Sequence, residues 1–318
     1  MLTPGVSVIL PSFNRLTYLR AAIDSVLAQT HTDWKLIIAD DGSADETRAF
    51  LRSIVDGRVK ILWLRHSGNP AAVRNSALTE ARGTYLAFLD SDDLWAPRKL
   101  EMQLTLMRSQ SDRRWSYTKD LPIDACGNLL AGDNIRTWLP YEGSIVEPLL
   151  KLDAIISTPA VVVERSLVNE VGGFDEGQNF GEDYDLWLRL AMRSQVSVSC
   201  EPLTYTRAHP YNYSQDRVAA YQGWVRLYEK MAEIVPEPRL RSLCWRRRGE
   251  SALALARLYQ DQGDQLATAR TLLDGSTYSW PYRGWWGGAL KIVVRSFVPA
   301  RVRSTYQRSK KKLSKKGK

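Results

Sequence analysis

The sequence predicts an α/β fold in which a mainly parallel β-sheet carries helices on both faces and is followed by a C-terminal helical extension. Between Val6 and Met107, apolar runs of strand length alternate four times with segments of helical periodicity. The connections between them are short, as in sheets whose parallel strands are joined by helices. From Arg217 to Leu273 the apolar positions follow helical spacing, which predicts the helical extension.

The elements of this alternation follow from the apolar runs and the turn residues between them. The predicted strands are Val6–Leu10, Trp34–Ala39, Val59–Trp63 and Tyr85–Leu89. The predicted helices are one with apolar positions Leu19, Ala22, Ile23, Val26 and Leu27, and then Asp45–Ile54, Ala71–Ala81 and Pro97–Met107. Because such strands run parallel, their carboxyl ends lie at one edge of the sheet.

Beyond this point the alternation is less regular. The predicted strands are Trp115–Thr118, Ile155–Val163 and Leu203–Thr206. A short helix is predicted over Ser166–Val171, where two glycines end it. Another helix begins at Glu182, since the aromatic and apolar side chains that follow recur at helical spacing.

The composition is that of a folded protein in a reducing compartment. Of the 318 residues, 44% are hydrophobic, which is enough for a substantial core. Three widely spaced cysteines form neither a disulfide framework nor a zinc pattern. Residues 1–11 lack the features of a signal peptide, and no run reaches the ~20 apolar residues of a membrane span. We therefore expect a cytoplasmic protein without a transmembrane helix.

The positive charge is concentrated at the C-terminus. The chain carries a formal net charge of +9, yet residues 295–318 contain ten Lys and Arg and no Asp or Glu, which leaves −1 for the remainder. A near-neutral body argues against binding of nucleic acid. The basic tail follows a cluster of aromatic residues: Tyr278, Trp280, Tyr282, Trp285 and Trp286.

These two features predict a peripheral protein on the inner face of the cell membrane. Aromatic side chains favour the membrane interface, and basic residues are attracted to an anionic membrane surface. The alternative is a solvated basic tail beside a packed tryptophan cluster.

Carboxylates are clustered where two of the predicted strands end. Asp90, Asp92 and Asp93 directly follow the fourth strand, and Asp40 and Asp41 follow the second. Acids at a buried strand end are costly unless they bind something, and open α/β sheets bind ligands at this edge. We interpret the cluster as a site for Mg²⁺ or Mn²⁺, which prefer oxygen ligands. The alternative is that Asp92 or Asp93 caps the following helix.

Glycine-rich phosphate loops are missing from the sequence after the first strand. Neither the Gly-x-Gly-x-x-Gly of dinucleotide-binding folds nor a Gly-x-x-x-x-Gly-Lys-Ser/Thr loop occurs there, and the sequence is instead Pro11-Ser12-Phe13-Asn14. Phosphates bound at this edge would be met by a metal ion rather than by a loop.

Six motifs occur in the order that is typical of a known family. They are Val8–Arg15, Asp40–Ser43, Arg74–Asn75, Leu89–Asp93, Gly172–Asp175 and Gly181–Arg189. Together they resemble family 2 glycosyltransferases with the GT-A fold, over roughly Val6 to Ser214. The resemblance implies inverting transfer of a sugar from a nucleotide diphosphate donor to an acceptor hydroxyl. We accordingly expect a GT-A domain in residues 1–215, a helical extension in 216–275 and a Trp-rich basic tail in 276–318.

The resemblance also implies which residues bind the nucleotide. Asp41 would hydrogen-bond the nucleobase in a pocket lined by Pro11 and Phe13, and Arg74 would lie near the nucleotide or its phosphates. Each assignment has a structural alternative, because Asp41 could simply shape the turn with Gly42, and Arg74 could be a surface residue of its helix.

Metal binding and catalysis are assigned in the same way. Asp92 and Asp93 would contact the ribose and a divalent metal, with Asp90 completing the cluster. His209 would join the metal or the diphosphate, although a lone histidine is often structural. Direct displacement needs one base to take the acceptor proton, and the resemblance implies Asp183 for this role, with Glu182 beside it. Both could instead be acids at a helix N-terminus.

The expected activity is the synthesis of a surface polysaccharide or glycolipid on a glycan or lipid-linked acceptor. Two other functions compete with it. A nucleotidyltransferase also places acids at strand ends for Mg²⁺, but usually carries a Gly-rich basic loop after the first strand. A non-catalytic scaffold could bind the nucleotide sugar alone, although the intact Asp92, Asp93 and Asp183 argue against this.

Overall fold

The protein consists of two compact units, Met1–Gln215 and Asp216–Lys318. Its computed structural model describes residues 5–110, 112–130, 138–209, 216–279 and 282–296. The first unit holds the β-sheet and all the predicted site residues, and the second is helical over its described residues.

The first unit is an α/β domain built on one eight-stranded sheet. Its strands are β1 (Val6–Ser12), β2 (Trp34–Asp40), β3 (Val59–Trp63), β4 (Tyr85–Phe88), β5 (Leu94–Trp95), β6 (Arg113–Ile123), β7 (Val161–Glu164) and β8 (Gln195–Arg207). The helices are α1 (Leu16–Leu27), α2 (Glu46–Arg52), α3 (Pro70–Glu80), α4 (Lys99–Ser109), α5 (Val146–Lys151), α6 (Arg165–Val171) and α7 (Glu182–Ala191). All four strands and four helices predicted before residue 110 are present, so the α/β prediction is confirmed.

The order of strands across the sheet is β3-β2-β1-β4-β7-β6-β8-β5. The first four run parallel to one another, as predicted. β7 pairs with both β4 and β6 in antiparallel fashion, and β8 runs parallel to β6. Consequently β8 points in the same direction as β1, β2 and β4, and its carboxyl end reaches the same edge of the sheet. The segment that leads into β7 begins at that edge as well.

Both faces of the sheet are covered, which explains why its central strands are continuously apolar. On one face, β1 and β2 side chains pack against α1 and α4 in a single buried cluster that includes Leu10, Leu36, Ile23 and Leu104. On the other face, Phe88 of β4 contacts Phe174 edge to face at 5.4 Å and Trp187 of α7 at 5.9 Å. This second contact fixes the position of α7 on the sheet.

One predicted strand is substantially shorter than expected. The sequence predicts a strand over Ile155–Val163, but the structure forms a 3₁₀ helix at Thr158–Ala160 and a strand only from Val161 to Glu164. Pro159 lies in the first turn of that helix, and a proline lacks the N–H that a ladder requires. The prediction was wrong because the β-branched residues around the proline carry a strand signal that the backbone cannot follow.

The helix-capping alternative for the acidic cluster is also excluded. Helix α4 begins at Lys99, and its N-cap is Arg98, which makes no side-chain cap hydrogen bond. Asp92 and Asp93 are therefore separated from α4 by β5 and the turn that follows, and they make other contacts.

The second unit contains four helices in its described residues: α8 (Arg217–Ile234), α9 (Pro238–Gln262), α10 (Gln265–Ser279) and α11 (Arg283–Ser296). Leu253 and Ala256 of α9 pack against Trp285 and Ile292 of α11 in a small apolar core. α10 runs across the boundary expected between residues 275 and 276. Trp280 and residues 297–318 lie outside the described residues. Among the described helices, none is both long and apolar enough to cross a bilayer.

Candidate active site

The candidate site lies at the edge where β1, β2, β4 and β8 end. Phe13, Asp41, Asp90 and His209 all follow these strand ends within a few residues. Open α/β sheets bind ligands in a crevice outside the carboxyl ends of their strands. The site has three parts. They are an aromatic corner (Phe13, Asp41 and His66), an acidic centre (Asp90, Asp92 and Asp93) and a rim carboxylate (Asp183).

Asp41 is the polar residue of the aromatic corner and is buried. Its carboxylate accepts hydrogen bonds from the Ser67 N–H at 2.8 Å and the Gly68 N–H at 3.0 Å. His66 Nδ1 lies 3.0 Å from the second oxygen of the same carboxylate. The Asp41 carboxylate thus organises the loop that follows β3, whereas its own turn is held by Asp40, which accepts the Ser43 N–H at 3.1 Å.

Phe13 and His66 form the aromatic surface of this corner. Their rings stack with centroids 4.1 Å apart and an angle of 15° between planes, and Phe13 remains 38% exposed. Gly42 allows the two loops to approach, because it has φ +78° and a Cβ there would lie 2.8 Å from the His66 nitrogen. Pro11 lies at the end of β1, paired with Ala39. The result is an exposed ring beside a carboxylate, which suits a flat heterocycle with N–H groups.

Arg74 is the central cation of the site. It is buried on α3 and donates to Asp90 from Nη2 and to Glu182 from Nη1, each at 2.7 Å. Burial alone would lower its pKa, but the carboxylates of Asp90 and Glu182 outweigh burial and raise the pKa above its usual range. Arg74 therefore joins the end of β4 to the start of α7, and it is not a surface helix residue.

The acidic centre contains more carboxylate charge than Arg74 can neutralise. Burial and the neighbouring Asp92 charge raise the pKa of Asp90, although Arg74 opposes them. Burial, Asp92 and Asp90 also raise the pKa of Asp93 well above its usual range. A cation among these groups would relieve both the burial cost and the mutual repulsion.

His209 and Asp92 form the closest pair of possible metal ligands. His209 Nε2 lies 2.8 Å from Asp92 Oδ2, and the imidazole is buried and stacked on Tyr18 at 4.9 Å. Asp93 instead accepts the backbone N–H of Arg207 at 2.7 Å, which holds the end of β8 next to it. Arg207 in turn donates from Nε to the Asp92 carbonyl oxygen at 2.7 Å.

These residues fit a divalent cation that is only partly held by the protein. Within the described residues, no three His, Cys, Asp or Glu side chains are arranged to hold a metal ion by themselves. Asp92 and His209 supply one oxygen and one nitrogen donor at the same point. Mg²⁺ and Mn²⁺ sites in nucleotide enzymes commonly use one or two protein ligands and complete the shell with phosphates and water.

Asp183 and Glu182 have different environments, although they are adjacent at the start of α7. Glu182 is buried and bound to Arg74. Asp183 accepts the Tyr184 N–H at 2.7 Å and the Thr158 hydroxyl at 3.0 Å. Burial and the Glu182 charge raise the pKa of Asp183 to about 6. A carboxyl group that ionises close to neutral pH is suited to general-base work, so Asp183 is the stronger candidate of the two.

Several residues of the site have no signal in the sequence. Thr158 lies in the segment predicted as a strand, yet its hydroxyl orients Asp183. His66 has the appearance of an ordinary loop histidine but stacks on Phe13. Asp120 of β6 is close enough for its charge to raise the pKa of Asp93. Each depends on a contact between segments that are distant in the chain, which spacing does not encode.

An α/β domain whose sheet edge combines an aromatic corner, an acidic centre and a rim carboxylate suits an enzyme that binds a nucleotide at this edge. Comparison with known proteins narrows this class. The sequence profile described as "Glycosyl transferase family 2" matches residues 7–112. The enzyme UDP-Glc:alpha-D-GlcNAc-diphosphoundecaprenol beta-1,3-glucosyltransferase WfgD of Escherichia coli is 32% identical over 236 residues, covering 73% of this chain and 87% of that protein. The chain therefore belongs to glycosyltransferase family 2, as its motifs predicted.

Solved structures of two further proteins share the fold. TarS 1-349 of S. aureus, in complex with UDP-GlcNAc, has a TM-score of 0.58 at 16% identity and covers 86% of this chain and 91% of its own. The mannosyltransferase PcManGT of Pyrobaculum calidifontis, in complex with GDP-Man and Mn²⁺, has a TM-score of 0.58 at 18% identity and covers 92% and 86%. These likenesses confirm the GT-A prediction.

Proposed function

We propose that this glycosyltransferase moves a sugar from a nucleotide diphosphate donor to an acceptor hydroxyl with inversion at the anomeric carbon. The observation that carries the proposal is the division of roles between Glu182 and Asp183. Arg74 occupies Glu182, which leaves Asp183 as the rim carboxylate that can take a proton. A single base on the acceptor side suits direct displacement, which needs no carboxylate nucleophile on the opposite face.

In this mechanism the acceptor oxygen attacks the anomeric carbon while Asp183 receives its proton. The bond from that carbon to the diphosphate oxygen breaks at the same time, and the nucleoside diphosphate leaves with the bonding electrons. Thr158 and the Tyr184 N–H hold the Asp183 carboxylate in place. Proton NMR of the product, from a donor of known anomeric configuration, tests the proposal, because retention of configuration would contradict it.

We further propose that Phe13 and Asp41 bind the nucleobase, with Pro11 in the wall of the pocket and Arg74 near the nucleotide or its phosphates. The stacked rings of Phe13 and His66 support this role. Phe13 is also exposed, so a nucleobase could stack on its ring. Asn69 caps helix α3 by accepting the Ala71 N–H at 3.0 Å. Because α3 carries Arg74 about one turn later, Asn69 connects this corner to the acidic centre.

Replacing Phe13 by leucine is expected to weaken nucleotide binding. Loss of one base stack raises the Kd for the nucleoside diphosphate by about ten-fold, since such stacks are worth ~1–3 kcal/mol. Phe13→Trp should keep the affinity, because tryptophan retains the flat face. Calorimetry with UDP and GDP measures both variants. Equal affinities for the leucine and tryptophan variants would mean that Phe13 packs without stacking.

The proposed mechanism also includes a divalent metal ion. We propose that Asp92 and His209 would hold Mg²⁺ or Mn²⁺ together with the donor diphosphate. Asp93 would contact the ribose or the metal beside them, and Asp90 would complete the acidic cluster. When bound, the cation would offset the negative charge that develops on the leaving diphosphate. The Asp92 and His209 contact at 2.8 Å and the excess carboxylate charge support this assignment.

Asp92→Asn is expected to weaken the binding of Mn²⁺ by at least about ten-fold in the presence of UDP, since a neutral amide is a poorer ligand than a carboxylate. Electron paramagnetic resonance counts the free Mn²⁺ and needs no turnover. Asp24→Asn, at an exposed position of helix α1, is the matched control. Unchanged Mn²⁺ affinity in Asp92→Asn would remove the metal assignment.

Thr158→Val is expected to shift the pH dependence of kcat. A hydrogen bond donated to a charged carboxylate stabilises the charged form, so its loss raises the pKa of Asp183 above about 6. Because the base must be ionised, the acid limb of the kcat profile moves to higher pH, by about one pH unit. Thr158→Ser keeps the hydroxyl and should restore the original limb. A Thr158→Val profile that coincides with wild type would show that this contact does not act on the base.

The acceptor and the cellular location follow from the same reasoning. We propose a glycan or lipid-linked acceptor in surface polysaccharide or glycolipid synthesis, with the enzyme peripheral on the inner face of the cell membrane. The named activity of WfgD, on a diphosphoundecaprenol-linked sugar, supports a lipid-linked acceptor. The basic residues after Ser296 support a location at an anionic surface.

A further inference from the structure

Helix α11 of the second unit has two apolar faces, one of them buried and the other exposed. On its inner side Trp285, Ala289 and Ile292 are buried against α9. On its outer side a second set of apolar residues is exposed: Trp286 by 38%, Leu290 by 63%, Val293 by 43% and Val294 by 55%. We call these four residues the outer stripe. The core of the unit accounts for the inner set only, so the outer stripe needs a separate explanation.

The outer stripe is continuous along the helix. Its members follow one another by four, three and one residues, which places them within roughly 100° of the helix circumference. A helix on a protein surface normally presents charged and polar side chains in this position. Contiguous exposed apolar side chains mark a surface that contacts another molecule or a membrane.

The charge around the outer stripe restricts what this partner can be. Arg283 and Lys291 are exposed on the same helix. The chain continues from α11 into residues 297–318, which contain nine Lys and Arg and no Asp or Glu. The partner therefore combines an apolar layer with a negatively charged surface. An anionic lipid bilayer has both, with the charge in the headgroups directly above the acyl chains.

We propose that the outer stripe of α11 docks on an anionic bilayer, with the helix lying in the plane of the interface and Trp286 at the level of the headgroups. A second copy of the chain fits less well. In a two-fold pair the stripe would face itself, and the second copy would contribute the same basic residues rather than a negatively charged surface. The proposal adds a particular helix face to the membrane location proposed above, and rests on that location.

Flotation of the full-length chain with lipid vesicles tests this assignment. One set of vesicles contains phosphatidylcholine and phosphatidylglycerol, and the other contains phosphatidylcholine alone. The variant Leu290→Gln/Val294→Gln removes the apolar character of the stripe without adding charge. Its matched control is Leu139→Gln/Val55→Gln, which changes the same two residue types at exposed sites in the first unit. Thermal unfolding of each variant checks that the fold is retained.

Wild type and control are expected to float with the anionic vesicles and to remain unbound with phosphatidylcholine. The stripe variant should bind the anionic vesicles at least about ten-fold more weakly, because two apolar side chains no longer enter the interface. Equal flotation of the stripe variant and wild type would overturn the proposal. So would a wild-type dimer that the stripe variant dissociates while vesicle binding is unchanged. No donor or acceptor is present, so either outcome leaves the transferase proposal intact.

Discussion

Asp183→Asn is expected to lower kcat by about 10³-fold, in line with the contribution of a single general base. The amide keeps the shape of the side chain, since its oxygen can still accept the Tyr184 N–H while its NH2 group donates to the Thr158 hydroxyl oxygen. It does not take up the acceptor proton, so the chemical step slows while binding is preserved. The Kd for UDP, measured by calorimetry, should therefore match that of wild type.

Two further variants make this prediction specific. Asp24→Asn, at an exposed position of α1, controls for the substitution itself and should have wild-type activity. Glu182→Gln reports on the neighbouring carboxyl group, which we place in a structural pair with Arg74. If Asp183→Asn kept its activity while Glu182→Gln kept its fold and lost kcat, the two roles would have to be exchanged.

The second large effect is expected from Arg74→Met, which should lower the free energy of unfolding by about 3 kcal/mol and abolish transfer. Removing one partner of a buried ion pair typically costs ~3–5 kcal/mol, because the remaining charge stays buried without compensation. Arg74 is bound by two carboxylates, and its side chain is only 7% exposed. Urea denaturation measures the stability, and donor turnover measures the activity.

A double variant separates this mechanism from a simple loss of packing. In Arg74→Met/Glu182→Gln one of the two carboxylates that lost their partner is also removed, so part of the lost stability should return. Arg108→Met, at an exposed position of α4, is the matched control and should change little. Equal urea midpoints for wild type and Arg74→Met would contradict the assigned role of Arg74.

The sheet and its functional edge could be predicted from the sequence because they depend on local patterns. β3 has the bounds that its apolar run predicts, Val59–Trp63. The alternation of strands and helices determines the strand direction, and strand direction places Asp41 and Asp90 at one edge. The antiparallel β7 could not be predicted in this way, because its pairing with β4 and β6 is set by tertiary packing.

The assignment of roles at the start of α7 shows where sequence reasoning ends. Adjacent residues of a helix point about 100° apart, so only one of Glu182 and Asp183 can face Arg74. Which one does so depends on how α7 is rotated against the sheet, and the contacts of Trp187 with Phe88 and Trp115 fix that rotation. Thr158 was missed for a related reason, since it lies 25 residues from the carboxylate that it orients.

The aromatic cluster near the C-terminus was interpreted as a single unit, and the structure divides it. Trp285 is buried in the core of the second unit, whereas its neighbour Trp286 is on the exposed side of α11. Composition alone does not distinguish a packed tryptophan from an interfacial one, because both occur in apolar surroundings. Whether a tryptophan is buried or exposed here depends on the direction in which its side chain leaves the helix.

The most direct test of the site is a calorimetric titration of UDP and GDP into the protein with and without Mn²⁺. If the end of β1, the end of β2 and the Asp92–His209 pair form one nucleotide site, at least one of the two ligands binds, and it binds more tightly when Mn²⁺ is present. Asp92→Asn should abolish this enhancement, whereas Asp183→Asn should leave it intact. Absence of binding by both nucleotides, or an enhancement by Mn²⁺ that persists unchanged in Asp92→Asn, would contradict the site as described.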